Sequence, residues 1–192
     1  MVQTVELKAI FPGVTLAEFK HIIFENQDFQ RHFQTTQGHQ NIAIEDWREK
    51  IKNEKYHVFQ RTIGFETPIN VPSVVQSFLG TNKVIGDTAA ELIIYGNLDQ
   101  LVHTSVMRLS NVPMAESIYA KVVWSMAPNK DKSAVLLKLT VTCEFKQYLP
   151  LVTGAIESST ASNSQKTFES WIQLAKDTCA KYLESKKNGG GG

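Results

Sequence analysis

Cysteine is scarce. Cys143 and Cys179 are the only two, separated by far more than any paired-ligand spacing and lacking a Cys-x-x-Cys partner, so they read as reduced core thiols of an intracellular protein. An excess of one charge is missing as well: 20 Lys and Arg stand against 19 Asp and Glu, a formal net charge of +1. The charges are dispersed along the chain, which gives no electrostatic case for nucleic acid as a partner. No stretch approaches the ~20 apolar residues of a membrane-spanning helix, and Met1-Val2-Gln3-Thr4 lacks the basic-then-apolar layout of a signal peptide. The expectation is a soluble chain, or a soluble piece of a longer anchored protein. Catalytic signatures are absent too, with no Gly-x-Gly-x-x-Gly, phosphate-binding loop, His-Glu-x-x-His or Gly-x-Ser-x-Gly. His21, Glu25 and His32 could share one helical face, but they lack a close third ligand and read as surface polar residues. His39, His57 and His103 are isolated and read as ordinary histidines. The sequence therefore points to a protein that is not an enzyme and needs no metal or cofactor.

What is present is enough apolar residue for a core. Of 192 residues 42% are hydrophobic and 20% charged, and a domain of this length buries roughly 70% of its extended-chain surface without staples. A single domain over 1–188 is expected, with 189–192 a flexible glycine tail. Val5 to Phe11 reads as a first strand ended by Pro12-Gly13. Thr15 and Glu18 form a capping box, followed by two short helices carrying Leu16, Phe19, Ile23, Phe29 and Phe33. From residue 41 the period becomes two. Segments 41–50, 56–66, 74–83, 91–95, 102–109, 117–127 and 133–146 read as strands, the last placing Val135, Leu137, Leu139, Val141, Cys143 and Phe145 on one face.

After Pro150 a helical period runs to about Lys186, with Phe168, Ile172, Ala175, Cys179 and Tyr182 on one stripe. Followed backwards, that stripe becomes small: Ser164, Ala161, Ser158, Gly154. Interiors fill to crystal-like density, so a helix face short of bulk leaves room. The order of elements predicts an α+β helix-grip fold, a curved antiparallel sheet of about six or seven strands around the C-terminal helix. It also predicts a cavity where the helix face is small.

Several ordered motifs resemble those of the VASt domain, the StAR-related lipid-transfer (START-like, StARkin) module of Aster and Lam sterol transporters and of plant GRAM-containing proteins. Phe24-Glu25-Asn26-Gln27-Asp28-Phe29 with Phe33 is similar to the family's early F-x-N-x-x-F helix pair, and Trp47 falls where it places a tryptophan. Arg61-Thr62-Ile63-Gly64-Phe65 resembles its R-x-[IV]-S-[FY] strand, Thr67-Pro68-Ile69-Asn70 its proline-containing loop, and Asn111-Val112-Pro113 the opening of its D-V-P-Y-G-D-Y-F signature. Asn111 replaces the aspartate, and Met114-Ala115-Glu116-Ser117-Ile118 lacks the tyrosine, glycine and aromatic end.

The resemblance implies non-enzymatic binding of a sterol or similar lipid and its transfer between membranes. The chain would be a cytoplasmic monomer touching membranes transiently, at endoplasmic reticulum contact sites as part of a longer anchored protein. Candidates for the apolar wall are Ile63, Phe65, Val122, Trp124, Leu137, Leu139 and Val141. A lid over 68–73 would present Ile69, Val71 and Pro72, with Leu151 on the opposing rim and Gly154, Ser158 and Ala161 supplying room and a hydroxyl. Two other classes stay open: a cyclase-like enzyme, requiring Arg61, Arg108 and His103 to converge, and an interaction module whose cavity is closed.

Overall fold

The computed structural model describes residues 2–68, 73, 76–77, 80–113, 115–146 and 150–189, with side chains at all of these except 145 and 150–162. The lid residues Ile69, Val71 and Pro72 therefore lie outside the described residues. The backbone of the helix carrying Leu151, Gly154, Ser158 and Ala161 is described, and their side chains are not.

Strand β1 (Val2–Pro12) leads into a turn at Gly13, whose φ of +78° suits glycine. Helix α1 (Leu16–Phe19) opens with the expected capping box: the Glu18 amide donates to the Thr15 hydroxyl at 3.2 Å, and the Thr15 amide donates to the Glu18 carboxylate at 2.9 Å. A π-helical turn (Lys20–Glu25) joins α1 to α2 (Gln27–Thr36), which Asn26 caps through the Asp28 amide. Strands β2 (Gln40–Ile44), β3 (Arg48–Lys52), β4 (Tyr56–Pro68), β5 (Lys83–Tyr95), β6 (Gln100–Leu109), β7 (Ile118–Pro128) and β8 (Ala134–Phe145) follow, then helix α3 (Pro150–Gly189).

The sheet has eight strands in the order β1-β8-β7-β6-β5-β4-β2, with β3 also paired to β4, and every pairing is antiparallel. Its two ends do not pair with each other, so it is a curved, unclosed sheet holding a long helix, the α+β helix-grip architecture. Trp171, Ala175 and Cys179 of α3 are buried against it, with Phe11, Phe19, Ile23, Leu101, Met126 and Val135.

Three strand expectations are corrected. Segment 41–50 is two strands, because after Glu45, whose amide still donates to the Thr62 carbonyl, Asp46 and Trp47 leave the ladder and bind Gln27 and the Phe24 carbonyl. That raises the strand number above the six or seven expected. Segment 74–83 is not one strand: Ser73, Gln76 and Ser77 are helical, Gly80 takes a φ of +67°, and β5 begins only at Lys83. The apolar residues Val74, Val75, Phe78 and Leu79 recur in pairs four apart, a helical spacing; these four lie outside the described residues. Conversely, 84–90 is strand although Gly86, Asp87, Ala89 and Ala90 have low strand propensity, since neighbours on both sides complete its ladder.

Candidate functional site: a cavity between sheet and helix

Antiparallel register stacks inward-facing residues into cross-strand rows. The row nearest the β4–β5 connection holds Phe65, Gly86 and Leu109; the next, Ile63, Thr88, Met107, Ala120 and Cys143; the third, Arg61, Ala90, Ser105, Val122 and Val141; the fourth, Phe59, Leu92, His103, Trp124 and Leu139. Beyond them come Ile94, Leu101, Met126 and Leu137. Members of the first three rows, with His103 and Trp124 of the fourth, line a cavity of about 510 Å³. Helix α2 closes one side with Gln30, Phe33, Gln34 and Gln37, and α3 another with Asn163, Ser164, Thr167, Phe168 and Trp171. Small residues at Ala90, Ser105 and Ala120 keep the sheet low there. Gly86 has the same effect at the first row: a Cβ there would come within 2.8 Å of the Phe65 ring, so its absence lets that ring lie across β5.

The fourth row is a floor. His103 stacks on Phe24 with ring centroids 4.8 Å apart and meets the Trp124 edge at 4.7 Å, while Trp124 packs against Trp171 at 5.7 Å. Below it the two layers meet in solid core. The remaining polar groups are unevenly provided for. At the rim, His39 stacks on Phe65 at 4.3 Å and hydrogen-bonds Gln34, and burial lowers its pKa. At the floor, burial, helped by the Arg61 charge, pushes His103 down to about 3, so it is neutral in all ordinary conditions. Arg61 is only 4% exposed and burial pulls it down to about 10. It stays charged at neutral pH, its guanidinium 4.2 Å above the Trp47 ring. Burial raises the Cys143 thiol, with a hydrogen bond to Ser164 opposing, which disfavours the nucleophilic thiolate at this cavity-facing position.

A family model matches residues 7–163: VASt, the VAD1 Analog of StAR-related lipid transfer domain. The chain belongs to the VASt family. Against curated proteins the sequence has no match. Among solved structures, the chain shares its fold with a protein of Thermus thermophilus (TM-score 0.52, 10% identity, 94% of this chain and 99% of that one). Similar likenesses are a Geobacillus kaustophilus protein (0.51, 11%, 93% and 96%) and a Rhizobium leguminosarum protein (0.51, 8%, 94% and 97%). At such identities the likeness concerns the fold alone.

Of the wall residues expected from this VASt sequence, Ile63, Phe65, Val122, Trp124 and Val141 face the cavity. Leu137 and Leu139 are buried outside it, at 3% and 0% exposure. Both share the face of Val141, but they fall at and beyond the floor row, where the helix meets the sheet. Sequence reasoning missed the α2 wall and the polar residues His103 and Ser105. Alternation along β6 does signal the latter, since both share a face with Met107 and Leu109. Arg108 instead pairs with Asp87 at 2.7 Å on the outer face, so the three groups a cyclase would need do not converge. His21 binds Glu25 at 3.1 Å, and among the described residues no group of three His, Cys, Asp or Glu could hold a metal. Nor, among them, is any helix long and apolar enough to cross a membrane.

Proposed function

We propose that this VASt domain is a non-enzymatic carrier that takes one sterol or similarly sized lipid into the cavity and moves it between membranes. The carrying observation is the chamber of about 510 Å³ between helix and sheet, walled mainly by Ile63, Phe65, Val122, Trp124, Val141 and Phe168. Its size falls within the range of small-molecule sites, and burying apolar ligand surface contributes roughly 25 cal/mol per Å². Transfer needs shelter rather than bond breaking. His103, held neutral by burial and by the Arg61 charge, is a weak base, which counts against a cyclase.

Segment 68–73 is the proposed gate. Pro68 and Pro72 restrict it, while Ile69 and Val71 supply apolar side chains suited to a bilayer surface. Gly154, Ser158 and Ala161 would give room at the α3 wall, with Leu151 at the rim. In this reading the domain works as a monomer on the cytoplasmic side, at membrane contact sites within a longer anchored protein.

The test is binding of a fluorescent sterol and its movement between liposomes, with phospholipid controls. One site per chain and accelerated transfer are expected, and Ala120→Phe, which fills the second row, should weaken binding at least tenfold while the protein stays folded. Ile69→Asp with Val71→Asp should slow transfer without altering the fold. Failure of every lipid to bind would leave an interaction module as the better reading.

A further inference from the structure

Helix α2 turns a polar stripe into the chamber. Gln30, Gln34 and Gln37, the last its C-cap, stand four and three residues apart, a spacing that puts all three on one helical face, and all three line the cavity. An inward helix face ordinarily carries apolar residues; of the α2 residues on this wall only Phe33 is one. Gln27, at the start of the helix, is spent on Asp46 at 2.8 Å. The other three are not. Gln34 is 7% exposed and hydrogen-bonds His39 with one end of its carboxamide, while the other end has no partner among the described residues. Gln30 has none at either end, and Gln37 has only a contact of 3.5 Å to the Thr36 hydroxyl. The Arg61, Trp124 and His103 nitrogens are sealed in protein, but these amide groups keep accessible surface.

The remaining walls set the character of what could meet them. Among the described residues no Asp, Glu, Lys or Arg lines the chamber, so a charged head group would find no counter-ion there. The sheet wall is mainly apolar, with Ile63, Val122 and Val141, and its Ser105 hydroxyl, like that of Thr167 on α3, has no partner among the described residues. Buried polar groups are almost always satisfied, and a carboxamide both donates and accepts, so its complement is a hydroxyl or a carbonyl. At 1.5 Å per residue, Gln30 and Gln37 are about 10 Å apart along the helix, comparable to the fused rings of a sterol. A sterol with a single terminal hydroxyl would answer one of the three amides and lay hydrocarbon against the other two.

We propose that the chamber selects a neutral lipid that is polar along one edge, a fused-ring compound with several hydroxyl or keto groups on a single face. That face lies on Gln30, Gln34 and Gln37, and the bare face lies on Ile63, Val122 and Val141. This names the ligand class of the carrier reading and rests on it.

The experiment compares three neutral ligands: cholesterol, a cholestane triol with all three hydroxyls on one face of the rings, and a sterol whose second hydroxyl sits at the end of the tail. Each is titrated against the native domain by the emission of Trp124 and Trp171, which line the chamber. The triol should bind at least about tenfold tighter than either of the others, because a site built to hydrogen-bond hydroxyls discriminates against ligands that lack them. Methionine keeps the length of glutamine and removes the amide. In the triple variant Gln30→Met, Gln34→Met, Gln37→Met the preference for the triol should vanish and cholesterol should bind more tightly than it does to the native domain. Comparing the triol-to-cholesterol ratio between native and variant protein cancels the ligands' own solubilities.

Equal or weaker binding of the triol by the native domain overturns the inference, and the glutamines then only hold water. A triol preference that survives in the triple variant overturns it too, as does a tail-hydroxylated sterol bound as tightly as the triol, which would place the polar contact at one end of the ligand. The native ratios stand as a test even if the variant fails to fold. Cholesterol binding without preference for the triol leaves the carrier reading intact, whereas no binding by any of the three would remove both.

Discussion

Asn111 stands where the VASt signature has an aspartate, and its two bonds show what the exchange does. Its Oδ1 accepts from the Ile85 amide at 2.7 Å and its Nδ2 donates to the Lys83 carbonyl at 3.0 Å, clamping the first residues of β5. A carboxylate could keep the first bond and would turn a second acceptor toward the carbonyl. Asn111→Asp is therefore expected to cost about 0.5–1.5 kcal/mol, read as a lower urea midpoint. An unchanged midpoint would show that β5 holds its start without this clamp. Gly86 and Phe65 make a related point, because the space one residue lacks is the space the other's ring occupies. Neither pairing is visible along the chain, where the partners lie 21 or more residues apart.

Elements with two unlike faces declare themselves. β8 alternates from Val135 to Cys143, and those five inward residues are all buried; the capping box of α1 is written in Thr15 and Glu18. The α2 wall does not, because Gln30, Gln34 and Gln37 look like solvent-facing residues until the fold brings the helix against a chamber. Residues 84–90 likewise become a strand only through their neighbours. Glu18 also joins elements far apart in sequence: while one oxygen closes the cap, the other accepts from Lys186 at 2.6 Å and Tyr182 at 3.4 Å, tying α3 to α1. The Lys186 hydrogen bond and the Thr15 amide hold the Glu18 pKa below its ordinary 4.5. A depressed carboxylate contributes stability that is complete above pH 4.5 and drains away as the pH falls through its folded-state value. Below pH 4.5 the native melting temperature should thus fall more steeply than that of Glu18→Gln. Glu25, Glu66 and Asp131, also held low, act in both proteins alike. Parallel curves would show that the tie carries no stability.

Across the whole molecule one sheet serves two purposes. The rows of Leu101, Met126 and Leu137, with Phe11 and Ala175, are packed solid, whereas the rows of Ile63, Ala90 and Phe65 face a chamber. Layer architecture was legible from the order of elements, and of the small stripe of α3 that pointed to a cavity, Ser164 lines it. The position of the floor was not legible, since it depends on which row of a curved sheet first touches the helix. Local stability should follow this division. Amides around Leu101, Met126 and Leu137 should exchange slowest with deuterium and ignore ligand, while those near Gly86, Leu109 and Ile118 should exchange faster and slow when lipid is added. Uniform protection at both ends would contradict it.

The floor formed by His103, Trp124 and Leu139 also bears on how such a protein changes over generations. In the carrier reading, exchanges at Thr88, Met107 or Ala120 would alter what is admitted, while Leu101, Met126 and Leu137 sit in the core on the other side of a stacked aromatic partition. Selectivity could then drift here without the loss of foldedness that ordinarily restrains interior positions.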